Sequence, residues 1–314
     1  MTKHVLVTGG AGFIGSHLVD AYLDRGWRVS ILDNLSTGVR ANINPGAGFH
    51  DADLADPSSM EIVERIRPDL ISHHAAQIDV RKSVSDPAFD AIANIVASVR
   101  LLQKAHELGV RRVLFASSGG ALYGEPVVAP QPESHPVMPL SPYGCAKLSV
   151  EHYLHFFREV HGLESVALRY ANVYGPRQNA HGEAGVVAIF ADRLLAGQPV
   201  TINGDGEQRR DFVFVADVVR ANMAASEGEM SGAYNVGTGV ETSVNGIYEL
   251  MTAILAIDRA ANHGPAKAGE QMRSVLDASK LRETAGIDRF VALREGMQQT
   301  LDWFRARRAT ESSR

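Results

Sequence analysis

Tyr143 and Lys147 stand four residues apart in the run Ser141-Pro142-Tyr143-Gly144-Cys145-Ala146-Lys147. On a helix, that spacing places both side chains on one face. The lysine cation then lies near the phenol and favours its phenolate. Upstream, Ser117-Ser118-Gly119-Gly120 brings two hydroxyls that could hydrogen-bond a hydroxyl or carbonyl of a substrate. These parts suit reversible proton transfer during oxidation of an alcohol. They do nothing without a hydride acceptor, so the chain must hold one nearby.

The first thirty residues supply its seat. Residues 4–8 read as a buried parallel strand. Gly9-Gly10-Ala11-Gly12-Phe13-Ile14-Gly15 follows, then an amphipathic helix to about Arg25, then a strand from Val29 to Leu32 that ends in Asp33. Together these form a dinucleotide-binding βαβ unit. Gly9 permits the tight turn, Gly12 lets backbone amides approach a pyrophosphate at the helix N-terminus, and Gly15 lets helix pack on strand. Asp33 can accept hydrogen bonds from both adenosine ribose hydroxyls. Its charge repels a 2′-phosphate, so NAD is expected rather than NADP.

Strand and helix keep alternating. A short strand near 48–51 precedes Asp53-Leu54, which would pass the adenine edge. A helix spans about 57–66, and the strand Leu70 to His73 leads into His74-Ala75-Ala76-Gln77, whose small residues would let a cofactor lie over the strand ends. His73 and His74 alternate across a strand with no suitably spaced third ligand, so packing and cofactor contact are preferred to a metal site. A long helix at about 87–108 carries Asn94. The strand Val113 to Ala116 delivers the serines, the helix Tyr143 to His161 follows, and the strand Ser165 to Arg169 closes the series. The fold class is therefore α/β: a Rossmann-like doubly wound parallel sheet that binds ligand at its carboxyl edge.

After Asn172-Val173-Tyr174-Gly175-Pro176 the regularity stops. Short elements follow: helices near 183–196, 216–226, 244–257 and 291–307, and strands near 199–202 and 211–215. Residues 1–175 are read as the NAD-binding domain, with some later segments returning to it. Residues 176–314 are read as a smaller C-terminal α/β substrate domain. The chain has 314 residues with 31 basic against 36 acidic, a formal net charge of −5. That gives no electrostatic reason to expect nucleic acid or an anionic membrane as partner. Cys145 is the one cysteine, so no intrachain disulfide can form. With no signal-peptide pattern and no 18-residue apolar run, the expected setting is the reducing cytoplasm.

Taken together, the motifs resemble those of the extended short-chain dehydrogenase/reductases, and within them the UDP-sugar 4-epimerases of the UDP-galactose 4-epimerase type. The markers are Thr8 to Gly15, Asp33 to Gly38, His73 to Gln77, Ser141 to Lys147, Leu168 to Pro176, Gly204 to Phe212 and Tyr234 to Gly239. The resemblance runs essentially end to end. It implies NAD-dependent interconversion of UDP-glucose and UDP-galactose through a 4-keto intermediate. Tyr143 would take the proton from the sugar O4, and Lys147 would hold the nicotinamide ribose and depress the Tyr143 pKa. Phe13, Ile14, Asn34, Ser36, Thr37, Gly38 and Tyr170 join the expected cofactor contacts.

Many family members carry Ser or Thr where this chain has Gly119. The hydroxyl role is assigned to Ser118, with Ser117 nearer the nicotinamide; a strand-end cap is the plain alternative for either. Dehydratases of the family carry an Asp-Glu pair just after that position, and UDP-glucuronate decarboxylases usually carry Glu. Here Gly120 and Ala121 stand there, which argues against elimination. An NAD-sensing regulator on the same fold would tolerate loss of Tyr143 or Lys147, yet both are present.

By match to the family, Asn172 and Arg210 hold the diphosphate, Thr201 to Asn203 lie beside uracil, and Val186 and Val187 line the substrate site. Lys267 replaces a familiar arginine and loses its bidentate fork, which Arg273 would offset. Glu270 accepts a ribose hydroxyl. Ser274 replaces a bulky tyrosine of glucose-restricted relatives and leaves room for N-acetylated sugars. A UDP-glucuronate epimerase would need a cation for the carboxylate, for which Arg193 is available. Relatives pair the helices near 87–108 and 143–161 in a four-helix contact, so a homodimer is expected.

Overall fold

The computed structural model describes residues 2–180, 185–266 and 271–312. Its strands are β1 (His4–Thr8), β2 (Arg28–Asp33), β3 (Gly48–Asp51), β4 (Leu70–His73), β5 (Arg112–Ser118), β6 (Glu164–Tyr170), β7 (Asn172–Tyr174), β8 (Thr201–Asn203), β9 (Arg209–Phe214), β10 (Gly232–Val236), β11 (Glu241–Ser243), β12 (Asn262–Gly264) and β13 (Arg273–Ser274). Its α-helices are α1 (Phe13–Asp24), α2 (Ser59–Ile66), α3 (Val80–Ser85), α4 (Pro87–Ala91), α5 (Ala97–Glu107), α6 (Gly119–Leu122), α7 (Pro142–His161), α8 (Val186–Leu195), α9 (Val215–Glu227), α10 (Val244–Leu255), α11 (Ser279–Ala285) and α12 (Leu293–Ser312).

Every residue of β1 is buried. Only a central strand covered on both faces accommodates such a run. β1 lies within a seven-stranded sheet of order β10-β6-β5-β4-β1-β2-β3, and all six pairings are parallel. Val5 and Val7 face a layer shared with Leu18, Tyr22, Val218 and Ala221 of α1 and α9. Leu6 faces the opposite layer, with Leu101 of α5 and Val150 and Phe157 of α7. The order reverses between β1 and β4, and a ligand crevice opens at the carboxyl ends of strands at such a switch point.

The boundary read at 175 is crossed by later segments. β10 is the seventh strand of the main sheet, and α9 packs on α1. The remaining elements build a smaller lobe: β11-β9-β13 with β7 also paired to β9, and a β12-β8 pair. They enclose a separate apolar cluster that includes Tyr174, Phe190, Phe212, Tyr248 and Leu301.

The helix expected at 87–108 runs unbroken from Pro87 to Glu107, with one turn of it widened. Between α4 and α5, residues Ile92–Val96 form one turn of π-helix. The wider turn carries Asn94, and such turns recur where a helix must re-aim one side chain.

Candidate active site

The carboxyl edge of β1 is shaped by backbone. Gly9 has φ +71 and its N–H donates to Leu32 O at 2.9 Å. A Cβ at Gly15 would stand 2.1 Å from Gly9 O, so only glycine lets α1 start this close to the strand. Gly12 is the N-cap of α1, extended and without a side-chain cap. The first-turn N–H groups therefore have no side-chain acceptor at the cap, the arrangement that receives a phosphate.

Asp33 closes the other side. It is 7% exposed; it accepts from Ala11 N at 3.0 Å and Leu35 N at 2.8 Å. Two bonds leave carboxylate lone pairs for ribose hydroxyls. Gly38 is packed against it, where a Cβ would lie 2.8 Å from Asp33 Oδ1. Asn34 turns its loop by accepting from Ser36 N at 3.0 Å and donates to Asp53 at 3.1 Å. Thr37 lies in the same loop, and Leu54 is buried beneath. Phe13 and Ile14 open α1, both partly buried. These residues fit an adenine dinucleotide without a 2′-phosphate.

Over β4, the two histidines are bonded into the protein. His73 shares hydrogen bonds with Thr8 Oγ1 at 2.7 Å and Ser98 Oγ at 2.9 Å. His74 shares one with Tyr170 OH at 3.1 Å. Burial lowers them to about 3 and about 4 respectively, so both are neutral. Among the described residues, no group of three or more His, Cys, Asp or Glu could hold a metal ion. Tyr170 is buried, and its hydroxyl also bonds Asn222. It supports the crevice floor rather than opening onto it.

Ala75 N donates to Thr8 Oγ1 at 3.2 Å, and Ala76 follows it, partly buried. Gln77 is fixed by Asn94, whose Oδ1 accepts from Gln77 N at 2.8 Å and whose Nδ2 donates to Gln77 O at 2.9 Å. Asn94 and Gln77 both donate to Asp90 Oδ1 at 2.9 Å. The sequence reading missed Asp90, although it stands one turn before Asn94 on the same face.

On α7, Ser141 caps the helix by accepting from Gly144 N at 3.1 Å, and Pro142 sits in the first turn. Tyr143 and Lys147 share a face as expected, with Lys147 Nζ 5.6 Å from the Tyr143 ring centroid. The electrostatics differ from expectation. Burial, joined by the Asp90 charge, pushes the Tyr143 phenol up instead of down. Burial pushes Lys147 down to about 8 against the opposing pull of Asp90 and Glu151. The ammonium donates to Ala116 O at 2.8 Å, not to the phenol. Ionising Tyr143 therefore needs added positive charge in the pocket.

The two serines separate. Ser117 is 3% exposed and donates to Glu151 at 2.6 Å. That bond commits its hydroxyl to the protein, and contact with the nicotinamide stays an expectation. Ser118 is partly exposed, and its Oγ accepts from Ala121 N at 3.3 Å as the cap of α6. A hydroxyl used as acceptor keeps its proton for another group. Gly119 is explained by packing: a Cβ there would lie 2.5 Å from the fully buried Leu276 side chain. Gly120 faces the open side, where the nearest atoms to a Cβ would be Asn172 Oδ1 at 3.8 Å and Ser274 Oγ at 3.9 Å.

The substrate-side residues are drawn together only in part. Ser274 pairs with Arg210 across β13 and β9, and Asn172 is on β7 beside the same strand. Arg210 donates to Arg209 O at 2.9 Å and to Gln271 O. Arg273 is paired with Glu241, so it is not a free cation awaiting phosphate. Thr201 and Asn203 lie on β8. Val186 is partly buried at the start of α8, but Val187 is 1% exposed within the small lobe's core and is not a lining residue. Lys267 and Glu270 lie outside the described residues. Arg193 donates to Pro199 O at 3.2 Å on an exposed surface and meets no sugar site.

Residues 5–237 match the family model described as the NAD dependent epimerase/dehydratase family. The chain belongs to that family, and NAD is its cofactor. Three solved structures are close to it. The UDP-glucose 4-epimerase of Thermotoga maritima, solved with UDP-glucose, is 47% identical with TM-score 0.95, over 97% of this chain and 99% of that one. The UDP-glucose 4-epimerase of Thermus thermophilus, in complex with NAD, is 43% identical with TM-score 0.91, over 96% and 99%. A UDP-N-acetylglucosamine 4-epimerase of Methanobrevibacter ruminantium, in complex with UDP-N-acetylmuramic acid, is 36% identical with TM-score 0.91, over 98% and 99%.

Proposed function

We propose that the chain is a UDP-sugar 4-epimerase that interconverts UDP-glucose and UDP-galactose. The observation that carries this reading is Gly120. It faces Asn172 and Ser274 with no side chain, so no acid stands where elimination would need one. Gly9, Gly12, Asp33, Ala75 and Gln77 would hold NAD, which would supply a reversible hydride acceptor. Tyr143 accepts the proton of the sugar O4 hydroxyl and returns it at the end of the cycle. Lys147 holds the nicotinamide ribose, and Ser118 donates to O4. Asn172 and Arg210 hold the diphosphate through charge-assisted hydrogen bonds. Substrate roles for Lys267 and Glu270 belong to the same reading.

The test incubates purified protein with UDP-galactose, then with UDP-glucose, without added NAD. Interconversion in both directions is expected. Accumulation of a 4-keto sugar, or release of carbon dioxide from UDP-glucuronate, would overturn the reading.

We further propose that the pocket accepts N-acetylated UDP-sugars, because Ser274 is small and borders Gly120. Ser274→Tyr is expected to remove turnover of UDP-N-acetylglucosamine and spare UDP-glucose. The assembly we propose is a homodimer. Phe89, Ile92 and Val96 on one helical segment and Tyr153, Phe156 and Val160 on α7 are exposed apolar residues that a second copy would cover. Light scattering across a dilution series should show the dimer mass. The cytoplasmic setting is likewise a proposal, resting on the exposed free thiol of Cys145. No described helix is long and apolar enough to cross a membrane.

A further inference from the structure

The face of α7 that bears Tyr143 and Lys147 continues one turn further to Glu151. Its side chain is only 9% exposed, as is that of its partner Arg169. Glu151 accepts from Arg169 Nη2 at 2.6 Å and from Arg169 Nε at 3.0 and 3.2 Å. It also accepts from Ser117 Oγ at 2.6 Å. Lys147, one turn earlier, donates to Ala116 O at 2.8 Å. The helix therefore grips two consecutive residues of β5, and the next residue is Ser118. Arg169 continues the chain of contacts to Tyr123 OH at 2.8 Å, which donates to Asn235 on β10 at 2.8 Å.

We propose that Glu151 is a positioning residue for the reaction. With Lys147 it clamps the end of β5 to α7, and so fixes the spacing between the Tyr143 phenol and the Ser118 hydroxyl. Two attachments on adjacent residues stop the strand end from sliding or rotating, which a single contact would allow. The inference rests on the epimerase reading for its kinetic test. A misplacement of about 1 Å at reacting groups costs on the order of 10²-fold in rate. The carboxylate acts through Ser117 and Lys147 without touching substrate.

A second consequence is electrostatic. Lys147 is faced by Asp90 from α4, by Glu151 and Tyr143 from its own helix, and by His73 and His74 from the end of β4. The ring of Phe115 lies 4.7 Å away. Both histidines are neutral, so Asp90 and Glu151 supply the negative charge that keeps Lys147 protonated. Removing one of them moves its ionisation below about 8.

The experiment compares Glu151→Gln, Ser117→Ala and the double variant. Glu151→Gln should lower kcat about 10²-fold with KM for UDP-galactose unchanged, and move the alkaline limb of the pH profile to lower pH. Because it strands a buried Arg169, it also tests folding. Ser117→Ala keeps that ion pair and should still lower kcat about tenfold, with the limb unmoved. The double variant should be no slower than Glu151→Gln alone, since both remove one contact. Unchanged kcat in Ser117→Ala, or additive losses, would show that Glu151 serves only the Arg169 pair and overturn the proposal. Nitrogen NMR of the lysine side chains reads the Lys147 titration without turnover. An unmoved titration in Glu151→Gln also counts against the clamp. A wild type that epimerises nothing defeats the epimerase reading while leaving this titration to be judged.

Discussion

The cofactor edge and the substrate edge of the crevice are built from different material. At the cofactor edge, the groups that would meet a ligand are the first-turn backbone amides of α1, just after Gly12, and the short side chain of Asp33. Strands and turns hold them already, and none has to abandon a partner. At the substrate edge, the groups are long cations. Arg210 is bonded to backbone carbonyls and Arg273 to Glu241. Binding there exchanges one partner for another, so only the difference contributes to affinity. On the proposed reading the contrast is a division of labour: a preformed seat would hold NAD, while a site of exchangeable contacts would let the sugar nucleotide come and go.

The largest effect should come where the edges meet. Tyr143→Phe removes the only proton carrier proposed for O4 and should lower kcat by about 10²–10⁴-fold, without weakening sugar-nucleotide binding. Steady-state rates and calorimetry together decide this. If kcat survives, chemistry does not pass through the phenol. The pH dependence follows from Lys147. Its cationic form prevails below about 8 and is lost above, so kcat should fall as pH rises through that value. The stability sign is opposite. Between about 8 and the ordinary 10.5, the unfolded chain binds a proton that the folded chain has released. Stability contributed by this residue therefore rises with pH across that window, and the burial penalty is fully present below it.

Next in size is a change of backbone at the cofactor edge. Gly15→Ala places a Cβ 2.1 Å from Gly9 O. Neither atom can yield without moving the turn, and overpacking of this kind costs roughly 1–3 kcal/mol. The purified variant should melt earlier and carry less bound NAD, measured by absorbance after denaturation. Retained NAD at wild-type level would mean that the seat is not preformed. At the substrate edge, Arg210→Ala should instead raise KM by about 10- to 100-fold and leave bound NAD untouched, as expected for loss of one charge-assisted bond. Loss of NAD in this variant would erase the distinction between the edges.

How much of this the sequence carried follows the same division. The βαβ unit was legible because each of its residues answers a local demand: Gly9 a positive φ, Gly15 a close approach, Asp33 a strand end. Tyr143 and Lys147 were legible because helical spacing alone aligns them. The Ser117–Glu151 and Asp90–Asn94 contacts were not. They join elements far apart in the chain, and no spacing rule shows which hydroxyl turns inward. Gly119 needed Leu276, more than a hundred positions away, for its explanation. The return of β10 to the main sheet was hidden for a similar reason, since nothing in Gly232–Val236 distinguishes an edge strand of one sheet from a strand of another. Arg273 was read as a phosphate cation from its place in a motif, and Glu241, its partner, belongs to another strand.

That arginine gives the smallest and most discriminating effect. Its side chain is half exposed, and that of Glu241 is 16% exposed. To reach a diphosphate, Arg273 would exchange one carboxylate for phosphate oxygens, both charge-assisted, in a place that water screens. The net gain is the difference between two similar contacts. Arg273→Ala should raise KM for UDP-galactose by no more than about threefold, less at high salt. Glu241→Gln should act in the reverse direction, lowering KM about twofold, because it releases the guanidinium from its competitor. If Arg273→Ala matches Arg210→Ala in magnitude, the Glu241 pair is not a competitor but a support that aims the guanidinium at the substrate. The substrate edge would then be as preformed as the cofactor edge.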